Sequence, residues 1–256
     1  MPDENKHLDI ALFAGLIAIN LIILNVLLGV RLPALRASAQ LHQAKNAPQG
    51  QSQAFLPIVS RSGSVSIPTQ ASWYSENDGF EILHIVGEVV NNSSQPVAQV
   101  TIEAELFGSK NAAPLGKLSG STYQTVIPPQ GKACFNLYAP KPADFSSFKL
   151  NVTGYQSLAD YPSGLRATVS NASFDAANQW YQVSGITSNI DGGLYPEISA
   201  AATLYDANGL VLGCDQTFVV LSGEDPNEPG TFTLYFLDRD YSQVQSSTVN
   251  LSIPLP

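Results

Sequence analysis

Positive charge is scarce in this chain of 256 residues. Twelve Lys and Arg stand against 21 Asp and Glu, for a net charge of −9 and a pI near 4.6. A nucleic-acid partner needs a basic face, so none is expected. Charged residues of both signs reach only 13%. Cysteine is rarer still: Cys134 and Cys214 alone, which gives neither a metal-site spacing nor a disulfide framework. A Cys134–Cys214 bridge would join two parts of the chain rather than staple one. The plainer reading is two separate thiols, and spacing alone leaves the choice open. There are three histidines, His7, His42 and His84. The first two lie far towards the amino terminus. His84 sits among apolar neighbours, where a structural role is expected.

The chain also lacks catalytic signatures. It holds no Gly-x-Ser-x-Gly elbow, no His-Glu-x-x-His and no phosphate loop. Its many serines have no base in evidence to activate them. Glu224, Asp225 and Glu228, with Asp238 and Asp240, form an acidic stretch that could serve calcium. Arg239 competes there and the spacing is not that of an EF-hand, so a solvated loop is expected. We therefore read the protein as non-catalytic, with no cofactor and no metal.

What is present begins with an apolar run. Residues 10–30 read IALFAGLIAINLIILNVLLGV, without a charge. As a helix this spans roughly 31 Å at about 1.5 Å per residue, matching a bilayer's hydrocarbon core. A cleaved signal peptide would account for Ala37-Ser38-Ala39, but Arg31 and Arg36 occupy the cleavage region and the run is long for that purpose. A retained single-pass anchor is expected. Ala11, Ala14, Gly15, Ala18, Asn25 and Gly29, with Ile22 the one bulky member, recur at spacings of three and four. Such a small face lets a second helix approach closely, and Asn25 can hydrogen-bond across the contact. The expected partners are the lipid bilayer and other membrane subunits, or a second copy. Lys6 precedes the run, whereas Arg31, Arg36 and Lys45 follow it. Charge counting would hold the bulk of the chain in the cytoplasm, but long domains translocate largely regardless. The polar, charge-poor composition places the remainder outside the cytoplasm.

Residues 1–46 thus form the anchor and its juxtamembrane extension. Residues 47–70, rich in Gln, Ser and Pro, read as a spacer. Beyond them no helical period appears. Ala98, Val100, Ile102, Ala104 and Leu106 alternate with Gln99, Thr101, Glu103 and Glu105, the period of a strand with one face on a core. The pattern returns 98 residues later in Ile198, Ala200, Ala202 and Leu204. Gly87 and Gly185 are also 98 apart, and Phe135 answers Phe232. Position 134 aligns with Thr231, and 214 with Gly116. Two tandem β-sandwiches, 71–160 and 161–256, are expected, each near the size of an immunoglobulin-like domain.

At Leu204-Tyr205-Asp206 and Gly209 the second repeat resembles the FxLYD family, whose signature is an aliphatic-Tyr-Asp strand end before a Gly turn. Val183, Gly185, Asn189 and the stretch ending in Phe232 match too. The first repeat keeps Val86-Gly87 and Asn91-Asn92, but Leu106-Phe107-Gly108 replaces Leu-Tyr-Asp. The resemblance covers about 70–256 and implies small immunoglobulin-like sandwiches of envelope proteins. It says little about activity. Tyr205, Asp206 and Gly209 read as a strand end and turn, with Asp206 accepting from the amides of 207–209 and Gly209 at positive φ.

The fold class that emerges is mainly β: a single N-terminal transmembrane α-helix followed by two tandem immunoglobulin-like β-sandwich domains. The expected function is that of a membrane-anchored envelope protein whose domains are interaction or spacer modules, with a place as an accessory subunit of a larger membrane complex. The alternative is a surface filament with bundled helices. No processing site, a Gly followed closely by Glu, precedes the apolar run to support it.

Overall fold

A computed structural model describes residues 64–77, 80–109, 113–159, 161, 164–189, 195, 197–221 and 228–255. They belong to one compact unit, Gly50–Pro256. The apolar run 10–30 and its small face lie outside the described residues. Among those described, no helix is long and apolar enough to cross a membrane.

The described chain is mainly β. In the first half β1 is Val65–Asn77, β2 Phe80–Asn91, β3 Val97–Gly108, β4 Pro114–Ser121, β5 Val126–Ile127, β6 Lys132–Pro140 and β7 Phe145–Ser157. In the second, β8 is Leu165–Asp175, β9 Trp180–Asn189, β10 Ser199–Tyr205, β11 Val211–Phe218, β12 Thr231–Phe236 and β13 Ser246–Ser252. The first half makes a β1-β2-β6 sheet and a second sheet in which β3 pairs with β4, β5 and β7. The second half makes β12-β9-β8 and β11-β10-β13. β1 opens at Val65, inside the stretch expected to be spacer. Its register with β2 shifts once, between Ser66 and Thr69.

Each half is a sandwich because its alternating strands have one apolar face to bury. Leu83, Ile85, Phe135 and Leu137 of one sheet meet Val100, Ile102, Ala104 and Leu106 of the other. In the second half Val183, Phe232 and Leu234 meet Ala200, Ala202 and Leu204. The halves share one detail that depends on glycine. Gly87 on β2 lies opposite Phe135 on β6, and Gly185 on β9 lies opposite Phe232 on β12. A Cβ on Gly87 would lie 2.5 Å from the Phe135 ring. On Gly185 it would lie 2.6 Å from the Phe232 ring and run into the carbonyl of Thr168. The aromatic ring fills the space of the missing side chain.

The alternation at β3 is interrupted in its pairing. Gln99 has φ +52°, and the register with β7 shifts between Ala98 and Thr101. The bulge changes the inward set at its start: Val97, rather than the expected Ala98, joins Val100, Ile102, Ala104 and Leu106 in the core cluster, although Ala98 is also fully buried.

Cys134 and Cys214 form a disulfide, with Cα atoms 5.9 Å apart, so the reading as two separate thiols is corrected. The reason is packing that no spacing rule contains. The outer face of the β1-β2-β6 sheet lies against the outer face of β11-β10-β13. Val86, Cys134, Ala201, Tyr205, Val211 and Cys214 bury each other there, flanked by Ala71, Trp73 and Tyr123. The described chain is therefore layered as four sheets, with an apolar cluster in each of the three spaces between them.

Candidate functional site

The feature that sets this chain apart from two sandwiches on a string is the junction between β1-β2-β6 and β11-β10-β13. Its residues follow from strand period. On β2, His84, Val86 and Glu88 share the outward face; on β6, Lys132, Cys134, Asn136 and Tyr138 do. On β10 the outward set is Ser199, Ala201, Thr203 and Tyr205, in register with Ser252, Asn250, Thr248 and Ser246 of β13.

At its centre the phenol of Tyr205 donates a hydrogen bond to Glu88 Oε1. The same oxygen of Tyr205 lies 3.2 Å from Thr248 Oγ1. Lys132 Nζ reaches Glu88 Oε2 at 2.9 Å. Glu88 is 1% exposed, so its carboxylate is held by these two partners rather than by water. Burial, and secondly the Glu88 carboxylate, push the Tyr205 phenol up to about 12. Tyr205 is thus more than a marker of a strand end: its ring is buried at the junction and its hydroxyl crosses it. The turn that follows is built by Asp206, whose Oδ1 accepts from the amides of Asn208 and Leu210, each at 2.8 Å. The Gly209 amide instead bonds the Asp206 carbonyl, and Gly209 has φ +76°. Those donors differ from the three consecutive amides expected, because the turn closes a Leu210-to-Asp206 pair.

On one side of the disulfide the junction is aromatic and charged. Trp73, His84 and Tyr138 stand side by side across three strands. The Trp73 and His84 rings stack at 5.2 Å. The loop after β12 covers them: Arg239 lies 5.0 Å above Trp73, and Asp238 Oδ2 is 3.5 Å from His84 Nδ1. Asp238 Oδ1 accepts from the Tyr241 hydroxyl at 2.6 Å. His84 Nε2 is 2.8 Å from Ser75 Oγ. Its Nδ1, Trp73 Nε1 and Asn136 Oδ1 are buried without a hydrogen-bond partner. Burial lowers the His84 pKa, and Asp238 and Asn136 act in the opposite direction. His84 thus stands between a hydroxyl, Ser75 Oγ at Nε2, and a carboxylate, Asp238 near Nδ1, an adjacency the sequence did not reveal.

On the other side the junction opens. Thr125 donates its amide to Ser252 Oγ at 2.9 Å, and Ser252 Oγ lies 3.1 Å from Thr125 Oγ1. Beyond this brace lies a cleft of about 680 Å³, with Ser121, Tyr123 and Thr125 on one wall and Glu197, Gln216 and Phe218 on the other.

Asp238 is engaged by Tyr241, while residues 224 and 225 lie outside the described residues. Among those described, no group of three or more His, Cys, Asp or Glu is placed to hold a metal ion. The sequence offered no direct signal for Glu88, Lys132 or the cleft. A buried Glu in an apolar strand, Val86-Gly-Glu-Val89, was the nearest hint. No protein-family model and no curated protein matches the chain.

Proposed function

We propose that this is a single-pass, membrane-anchored protein of the cell envelope, with two immunoglobulin-like sandwiches outside the cytoplasm acting as a non-catalytic interaction module. The observation that carries the reading is the junction. Two domains that served only as flexible beads would have no need of a disulfide, a buried Tyr–Glu–Lys set and an apolar cluster between them. Fastened together, they present surfaces at fixed mutual geometry, which lowers the ordering cost of binding a partner. The disulfide also favours an oxidising compartment, since cytosolic thiols are kept reduced. That supports the outward orientation over the one charge counting gives. The uncharged run 10–30 supports the anchor, and its small face supports a role within a larger membrane complex.

Purification in mild detergent followed by mass spectrometry tests this. Stoichiometric foreign membrane subunits are the expected result. Gly15→Leu with Asn25→Leu should lower their recovery, whereas Leu16→Ile with Leu27→Ile should not, with insertion checked by carbonate extraction. A chain recovered alone and monomeric, with or without the substitutions, would refute the subunit reading.

A further inference from the structure

We propose that the cleft at the open end of the junction binds a neutral saccharide. The claim is independent of what the anchor associates with. It starts from the chemistry of the walls. Neither wall contributes a Lys or Arg, so an anionic ligand has no counter-charge. Glu197 is the one carboxylate among the lining residues, too few for a hard cation that needs six or more oxygens. A lipid tail would leave the wall hydroxyls and the Glu197 carboxylate without partners. What the walls do offer is hydroxyls and an amide: Ser121, Thr217 and Gln216 each provide both a donor and an acceptor, while Thr122 and Thr125, whose hydroxyls are engaged within the protein, add acceptors. A sugar's hydroxyls are also both, so each can donate to one wall group while accepting from another. The Glu197 carboxylate is an acceptor for such hydroxyls.

The second element is an aromatic ring. Phe218 is 67% exposed, an unusual state for a phenylalanine on a regular strand. Strand period places it on the same face of β11 as Gln216 and Cys214, in register with Ser199 of β10. The face that is apolar and closed at Cys214 therefore ends in an open aromatic platform. The C–H-bearing face of a pyranose packs well on such an electron-rich ring. Polar walls around one exposed ring select a ligand with both hydroxyls and an apolar face.

Third, the cleft is built before any ligand arrives. The Tyr123 amide donates to the carbonyl of Cys134 at 2.9 Å, and Gln216 is two residues from Cys214. The disulfide thus ties one wall to the other close to the site. Thr122 Oγ1 donates to the Gln124 carbonyl at 2.8 Å, and the Thr125–Ser252 brace fixes the floor. Clefts at domain interfaces of this volume are where small ligands most often bind.

The test uses the full chain in lipid nanodiscs, which avoids detergents with sugar headgroups. Maltohexaose, cellohexaose, chitohexaose and mannohexaose are titrated by calorimetry and by ligand-observed NMR. At least one should bind saturably. Phe218→Ala should then weaken it about tenfold, the scale expected for losing one stacking contact, and Glu197→Gln should weaken it as well. Leu237→Ala, which truncates an equally exposed apolar residue outside the cleft, should leave binding unchanged. Phe218 and Glu197 are both exposed, so neither substitution threatens folding, and unchanged thermal melts would confirm that. Absence of binding by all four sugars at millimolar concentration, or binding indifferent to Phe218→Ala and Glu197→Gln, overturns the proposal.

Discussion

Breaking the Cys134–Cys214 bond should cost the compact unit several kcal/mol. The bond closes a loop with a sequence separation of 80. That loop runs through β7, β8, β9 and β10, so it links the two halves by a path through both of their cores. Constraining it removes unfolded-state entropy worth about 4.5 kcal/mol at 25 °C on the chain-entropy account. In equilibrium terms this is about three powers of ten in the ratio of folded to unfolded chain. The apolar and ionic contacts of the junction remain in a variant without the bond. The halves should therefore stay docked in water but separate at lower denaturant. Cys134→Ala, Cys214→Ala and the double variant of residues 50–256 would be unfolded in urea beside the oxidised parent. All three should lose a similar amount, because any one substitution breaks the same bond. The parent should show one transition, and the variants two, as the halves melt separately. Losses under about 1 kcal/mol, or an unchanged single transition, would refute the reasoning that the bond constrains a large loop across two independent cores.

Three further substitutions test other levels of the fold. Ile102→Asp puts a carboxylate into a position with no exposure and should cost about 4 kcal/mol or more, whereas Thr101→Asp, on the wet face, should be within about 0.5 kcal/mol of the parent in thermal melts. Gly185→Ala should destabilise by about 1–3 kcal/mol through the Phe232 ring and the Thr168 carbonyl; Gly116→Ala, which meets nothing within 4 Å, should not, and equal melts would sink the ring-in-gap account. Acidification should weaken the fold through His84: its folded pKa is lowered, so below about pH 6.5 the unfolded chain takes up the proton first and stability falls. Asp215, whose pKa is raised by burial, acts with the opposite sign at lower pH, so the decisive measurement is the melting temperature from pH 8 to 5.5, with His84→Gln expected to flatten the decline.

The inward faces were legible because a strand with one dry side has to alternate. Val100 to Leu106 and Ile198 to Leu204 alternate into their cores as their pattern requires, while the bulge at Gln99 puts Val97 rather than Ala98 in the core cluster. The outward face of β10 was not legible. Ala201 and Thr203 are small and neutral, so they fit water or a partner equally, and both are buried against the other half. Position 214 shows why the disulfide was missed. Sequence alignment matched it to Gly116, but the ladders do not. Thr203 pairs with Cys214, and Glu105, its counterpart in the first half, pairs with Lys117. β11 and β4 are offset by one residue relative to that alignment. β4, with the sequence Pro-Leu-Gly-Lys-Leu-Ser-Gly-Ser, gave little sign of being a strand, because two glycines and two serines dilute its alternation. The cleft was invisible for a plainer reason: its walls lie far apart in the chain and come together only through the junction.

The junction is also asymmetric in a way that limits it. It joins a β1-β2-β6 face from the first half to a β11-β10-β13 face from the second. The two faces left over are their counterparts in the other halves, β12-β9-β8 and β4-β3-β7. In a chain of identical repeats such a head-to-tail contact would propagate without closing. Here the counterparts have lost what the contact needs. Where the junction has Ala201, Thr203 and Cys214, the free face of the first half carries Glu103, Glu105 and Lys117, engaged with one another at 2.7 and 3.3 Å. Where it has Val86, Glu88 and Cys134, the free face of the second half carries Ser184, Ile186 and Thr231. Tyr205, which donates to Glu88, is answered by Phe107, which has no hydroxyl to donate. Neither the disulfide nor the buried Tyr–Glu pair can form a second time, and docking the Glu103–Glu105–Lys117 set on an apolar face would strip three charges of water. The divergence between the repeats is therefore concentrated on the face that distinguishes a single fastened pair from a growing array. This counts against a filament propagated through the sandwiches.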